Sequence, residues 1–301
     1  MAESHQDIWS QWLLQNRHGG DTERRRAILE YLLPVRDKLL DKAGLEAGET
    51  LLDVGCGEGL IGFGALQEAP KAQVIFSDIS AELLDQVQKL AEQMDMAERI
   101  QVLQAPAEDL SPVAGASVDV VTTRSVLIYI KDKTRAFAEF FRVLKLGGRL
   151  AIFEPINRFT YPEPPGWFCG YDVQTVAHLA WKVERVLERY QPADSDPMLD
   201  FDERDLVRLA EDAGFEEIHL EYQVDIEPMA KETSFGAGSW EIFLKSSGNP
   251  KLPTMGAVIA EALSEEEQEQ FGAHLRPLVE GKRGTNRRAV AYLWAVKAGA
   301  G

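Results

Sequence analysis

Three glycines within five residues, Gly55, Gly57 and Gly59, set the chemistry open to this chain. They follow the apolar run Leu51, Leu52 and Val54 and precede a helical pattern that opens at Leu60. Glycine accepts positive φ and lets the backbone approach a ligand where a Cβ would collide. The helix after such a turn points its first N–H groups at the same place. The spacing is not the dinucleotide fingerprint Gly-x-Gly-x-x-Gly, because Leu60 occupies its last slot. Asp53 stands two residues before Gly55 and would repel a pyrophosphate. It suits a ligand that carries an ammonium group.

A turn of this kind needs a strand before it and a helix after it. Residues 50–54 read as a strand covered on both faces, and the following helix stops before Pro70. Residues 73–78 are a second strand. Ser80 caps the next helix, whose stripe is Leu83, Leu84, Val87 and Leu90. Residues 100–103 and 118–122 read as the third and fourth strands. Asp132 opens a helix with Phe137, Phe140, Phe141 and Leu144 as a core stripe, Gly147-Gly148 ends it, and 149–153 is the fifth strand. Alternation of this length implies a parallel sheet with helices on both faces.

The flanking segments differ. Within 1–48, Ile8, Trp9, Trp12 and Leu13 share a helical face, residues 16–21 break that helix, and Ala27–Leu40 form a second one that Pro34 bends. Residues 155–201 are rich in Pro, Gly and aromatics, with one helix near 173–190, and read as an insertion over the strand ends rather than a domain of their own. A helix near 202–213 closes at Gly214, and a strand runs from Phe215 to about Ile226. A second irregular stretch, 227–286, holds a helix from Glu265 to Leu278, and 288–297 form a last strand.

The string Leu52-Asp53-Val54-Gly55-Cys56-Gly57-Glu58-Gly59 resembles the first motif of class I S-adenosylmethionine (SAM) dependent methyltransferases. The resemblance covers 50–155 and, more loosely, 202–226 and 288–297. It implies an α/β, three-layer Rossmann-like sandwich with a seven-stranded, mostly parallel sheet of order 3-2-1-4-5-7-6. SAM is then the cofactor and S-adenosylhomocysteine (SAH) the product. The implied organisation is an N-terminal helical lid over 1–48 and a SAM-binding domain over 49–301, with insertions at about 155–201 and 227–286 after strands 5 and 6. Ordinary packing helices account for 1–48 equally well; Trp12, Arg17 and His18 are the lid candidates.

In an open α/β sheet ligands bind beyond the carboxyl ends of the strands. Asp53, Gly55, Cys56 and Gly57 are the turn residues for the cofactor. Asp78, 23 positions after Gly55, can accept hydrogen bonds from both ribose hydroxyls, and Ile79 would lie against the adenine. Residues 105–110 resemble the family segment that reads the adenine edge, with Ala107 as a backbone contact and Glu108 beside it. Pro106 stands where the family usually carries Asp, so the adenine amine falls to Glu108 or to a backbone carbonyl. Thr123 and Arg124 are backbone contacts near the methionine end. The Arg124 guanidinium could pair with the SAM carboxylate, an acidic acceptor or a neighbouring carboxylate.

The acceptor candidates are Tyr129, Asn157, Arg158, Tyr161 and Trp167, polar groups among aromatics of the kind a small, partly apolar substrate needs. A rigid Pro-rich cover without direct contacts fits 155–168 as well. His178 and Trp181 are further candidates. A methyl sulfonium is a strong electrophile, so in-line positioning and exclusion of water can supply much of the rate. A hydroxyl acceptor would add a general base, for which Glu154, His18 and His178 are the candidates, Glu154 and His18 first.

Composition narrows the partners. The 301 residues carry 32 Lys and Arg against 49 Asp and Glu, a net charge of −17 that repels nucleic acid. Lys282-Arg283 and Arg287-Arg288 are the nearest approach to a basic patch. Two cysteines without a Cys-x-x-Cys pair fit a reducing cytoplasm, and no cluster has metal-ligand spacing. The N-terminus carries no secretory apolar region and no run reaches membrane-spanning length. The expectation is a cytoplasmic methyltransferase, monomer or homodimer, acting on a small molecule without a metal. A SAM-binding protein with a non-methylating or regulatory role, and a nucleotide-linked oxidoreductase on the same sheet, are the alternatives.

Overall fold

The computed structural model describes residues 7–13, 17, 22–230 and 238–299. The chain divides into two compact units: Leu32–Ile156, Phe201–Gln223 and Val290–Gly301 in one, and Met1–Tyr31, Asn157–Asp200 and Val224–Ala289 in the other.

The first unit is built on a sheet. Its strands β1 (Thr50–Val54), β2 (Gln73–Asp78), β3 (Ile100–Gln104), β4 (Val118–Arg124) and β5 (Leu144–Pro155) pair in parallel in the order 3-2-1-4-5. The seven-stranded sheet is completed by β9 (Thr285–Val296), antiparallel to β5, and then β8 (Glu216–Pro228) at its edge. Two short strands, β6 (Trp167–Phe168) and β7 (Tyr171–Asp172), form a separate hairpin. Counting only strands of the large sheet, the order is the expected 3-2-1-4-5-7-6.

Helices α3 (Leu60–Glu68), α4 (Ala81–Gln93), α5 (Lys133–Val143) and α7 (Glu203–Ala213) cover the two faces. Local sequence explains their ends. The Ser80 hydroxyl accepts from Leu83 N–H at 3.2 Å at the start of α4, and Asp202 and Asp205 form a reciprocal capping box on α7. Gly214 closes α7 in the left-handed conformation, φ +96°. Phe137 and Phe140 of α5 are fully buried, each contributing about 1.5–3 kcal/mol by leaving water.

The boundary between α5 and β5 differs from the sequence expectation. Gly147-Gly148 does not end α5; the helix stops at Val143, and Leu144 already pairs with Val118 in β5. The register then slips, so that Val120 faces Arg149, and Gly147 at φ +76° absorbs the irregularity.

The second unit also departs from expectation. The stretches read as insertions enclose a hydrophobic core of their own that includes Phe168, Leu179, Val183, Phe243, Phe271 and Leu275. Helices α6 (Ala177–Tyr190), α8 (Trp240–Lys245), α9 (Met255–Ala262) and α10 (Glu265–Glu280) surround that core. The short helix α1 (Ile8–Gln11) is capped by Asp7, whose Oδ1 accepts from Trp9 and Ser10 N–H. Trp12 is buried and donates its indole N–H to Ser247 O at 3.1 Å, with Arg17 over its ring. Ile8, expected to share a helical face with Trp12, is exposed. Helix α2 (Thr22–Ala43) is continuous through Pro34. No helix among the described residues is long and apolar enough to cross a membrane.

Candidate cofactor and active site

Strands β1 and β2 end side by side, and the glycine turn begins where they stop. Val54 pairs with Ser77, and Cys56 N–H continues the ladder to Ser77 O at 2.9 Å. Gly55, Gly57 and Gly59 take φ of +64°, +54° and +82°, a sequence of left-handed residues that only glycine makes without strain. Asp78, 7% exposed at the tip of β2, reaches over the turn: Oδ2 accepts from Gly57 N–H at 2.9 Å, and Oδ1 accepts from Ser80 N–H at 2.9 Å. The acidic residue and the turn expected to share a ligand are thus in direct contact. Ile79, beside it, is 45% exposed.

Asp53 lies beneath the turn, 2% exposed. Its Oδ2 accepts from Gly62 N–H in the first turn of α3 at 3.1 Å, and its Oδ1 accepts from the Thr122 hydroxyl of β4 at 3.2 Å. Burial pushes its carboxyl up to about 7, against the pull of those two hydrogen bonds and of Arg124; the charge of Asp78 pushes the same way as burial. Cys56 is buried and its thiol is driven well above the usual range by burial, which leaves it in the unreactive thiol form.

The segment expected at the adenine edge is fixed from α5. Arg135 Nε donates to Glu108 O at 2.7 Å, Leu110 N–H donates to the Glu139 carboxylate at 2.7 Å, and Arg142 donates to the carbonyls of Leu110 and Val113. Ala107 is buried and Glu108 half-buried. Thr123 is fully buried at the end of β4, with Arg124 half-buried after it.

Glu154 is not placed as a general base. It is fully buried, and its oxygens accept from the backbone N–H of Val126 at 2.8 Å, Leu127 at 2.9 Å and Ile128 at 3.4 Å. Burial pushes it up to about 7, opposed by those three N–H groups and by the charge of Lys133. A carboxylate so enclosed binds backbone and presents no face to an acceptor. Tyr129 sits on the same segment, its N–H donating to Val126 O at 2.9 Å.

His18 falls outside the described residues. Asn157, Arg158, Tyr161 and Trp167 belong to the second unit. The Asn157 carbonyl takes the N–H groups of Thr160 and Tyr161; Arg158 and Tyr161 are exposed; Trp167 is half-buried in the β6–β7 hairpin. His178 and Trp181 are exposed on α6. Sequence reasoning missed Thr122, Val126, Lys133 and the Glu139–Arg142 pair. Their roles depend on which strand ends and helices meet, and no local spacing signals that. Among the described residues no group of three His, Cys, Asp or Glu is placed to hold a metal.

Comparison with known proteins agrees with this geometry. The family described as "Methyltransferase domain" matches residues 52–152, the stretch from β1 to β5. That stretch is therefore similar to a methyltransferase domain. An arsenite methyltransferase of Halobacterium salinarum is 34% identical over 122 residues, 40% of this chain and 31% of that protein. The ubiquinone/menaquinone biosynthesis C-methyltransferase UbiE of Hahella chejuensis is 33% identical over 142 residues, 46% of this chain and 55% of its own. The chain thus spans between about a third and just over half the length of these curated relatives. The YcgJ protein of Bacillus subtilis shares the fold at TM-score 0.54 and 17% identity, over 88% of this chain and 98% of that one.

Proposed function

We propose that this chain transfers a methyl group from SAM to a small-molecule acceptor. The observation that carries the reading is the Asp78 carboxylate bound to Gly57 N–H, inside a stretch similar to a methyltransferase domain. Asp78, at the tip of β2 against the turn, is the carboxylate assigned to the ribose hydroxyls. Gly55, Cys56 and Gly57 offer bare backbone for the methionine portion, and Ile79 offers an exposed apolar surface to the adenine. Ala107 and Glu108 line the adenine edge, and Thr123 and Arg124 the methionine end. The negative charge of Asp53 under the turn favours a cationic ligand, whose arrival would draw its carboxyl back down.

The cofactor supplies an electrophilic methyl group when bound. The chain's own work is orientation and exclusion of water, for which buried, backbone-bound carboxylates such as Asp53 and Glu154 build a rigid floor. Tyr129, Asn157, Arg158, Tyr161 and Trp167 are the residues assigned to the acceptor, and the charge of −17 argues against a nucleic acid. Two free cysteines support a cytoplasmic enzyme, working as a monomer or homodimer.

Thermal unfolding in excess SAM, SAH or NADH tests the reading. A ligand that binds only the native state raises the melting temperature by mass action. SAM and SAH should stabilise the protein and NADH should not. Stabilisation by NADH alone would replace methyl transfer with hydride transfer. Binding of SAM without methylation of any member of a broad acceptor set would leave a regulatory SAM-binding protein.

A further inference from the structure

The segment that follows β4 is held in an unusual way. Ser125 has φ +56°, a left-handed conformation that costs a non-glycine residue on the order of 1 kcal/mol and persists only when its surroundings enforce it. Three sets of bonds enforce it here. Ser125 N–H donates to Phe153 O at 2.8 Å; Glu154 takes the next three N–H groups; Lys133 Nζ donates to Ile130 O at 2.8 Å. What this segment presents is Val126. A Cβ built on Gly55 would lie 2.4 Å from Val126 Cγ2, so the valine methyl fills the space that the first glycine of the turn leaves open.

We infer that Glu154 is a positioning residue for the cofactor turn: by gathering the N–H groups of Val126, Leu127 and Ile128 it sets the Val126 side chain against Gly55. The chain of contact is short and continuous. It runs from the carboxylate at the end of β5, through the backbone it binds, to one side chain, to the turn after β1. It gives Glu154 a part in cofactor affinity without contact with cofactor or acceptor, and it rests on the SAM reading only for the ligand used in its test.

A double-mutant cycle separates this role from general support of the fold. SAM and SAH affinities are measured by calorimetry for the wild type, Glu154→Ala, Val126→Ala and the double variant. Val126→Ala leaves all three N–H bonds to Glu154 in place. If Glu154 acts through Val126, each single variant weakens SAM binding by about tenfold and the double variant by about the same factor, since residues acting in series do not add. Wild-type affinity in either single variant, or a double variant weakened by about a hundredfold, would overturn the inference. Should Glu154→Ala not fold, Val126→Ala carries the test alone. Should the wild type bind neither SAM nor SAH, it is the functional reading that fails. The coupling is then read by hydrogen exchange of residues 54–60 in the ligand-free protein. Exchange there should be faster in Glu154→Ala and Val126→Ala, and unchanged exchange would refute it.

Discussion

Replacing Asp53 with asparagine tests the energetics of the site's floor. The side-chain amide has the same shape as the carboxyl: its oxygen can still accept from Gly62 N–H, and its nitrogen can donate to the Thr122 hydroxyl. What disappears is the titration. Asp53 is held at about 7 in the native protein against an ordinary 3.8. Between those values the native state keeps a proton that the unfolded chain has released, so stability falls as pH rises through the window. From about pH 5.5 to about pH 7.5 the loss assignable to Asp53 is about 2 kcal/mol. Glu154, also held at about 7, adds a fall of the same sign that Asp53→Asn leaves in place. The assay is urea unfolding at intervals across that range, above the isoelectric point of about 4.8. The stability of the variant relative to wild type should rise by about 2 kcal/mol from the low to the high end, with the same urea dependence. A difference between the two proteins that does not change with pH would refute the assignment of a raised carboxyl to Asp53.

Three further outcomes are expected. Asp78→Ala frees the Gly57 and Ser80 N–H groups and should weaken SAM binding by about 1–3 kcal/mol; undiminished affinity in calorimetry would remove Asp78 from the site. Gly62→Ala puts a Cβ 2.2 Å from Phe76 Cε1 in a packed core and should cost about 1–3 kcal/mol of stability, despite alanine's better helix propensity. A melting temperature equal to wild type would mean that Phe76 moves freely. Trp12→Phe loses the buried bond to Ser247 O and leaves that carbonyl without its donor, at a cost of about 1–3 kcal/mol in urea unfolding; no change would show that α1 is not anchored there.

The sheet and the turn were legible because their signals are local. Strands β1 to β4 are short apolar runs, each bounded by a polar or glycine residue, and the Gly55–Gly59 spacing has few uses other than close approach to a ligand. Asp78 was legible because its place, at the end of the strand after the turn, is a matter of counting. Glu154 was found as a residue of interest by the same counting, yet its role was misread. A carboxylate at a strand end looks alike in sequence whether it faces a ligand or three backbone N–H groups. The start of β5 was missed because Leu144 continues the helical stripe of α5 and pairs with Val118 only through a register slip.

The sequence by itself determined the alternation of strand and helix, the glycine turn and the acid that meets it, since each is written in residues close along the chain. Only the tertiary structure decided that three separated stretches, Met1–Tyr31, Asn157–Asp200 and Val224–Ala289, make one unit with its own core. Their apolar residues carry no mark of which distant partners they will bury against. Tertiary structure likewise decided the charge state beneath the turn. Asp53 and Glu154 are ordinary carboxylic acids in sequence, and it is the burial around them, closed by β4, α3 and the residues 126–128, that holds their protons to about 7.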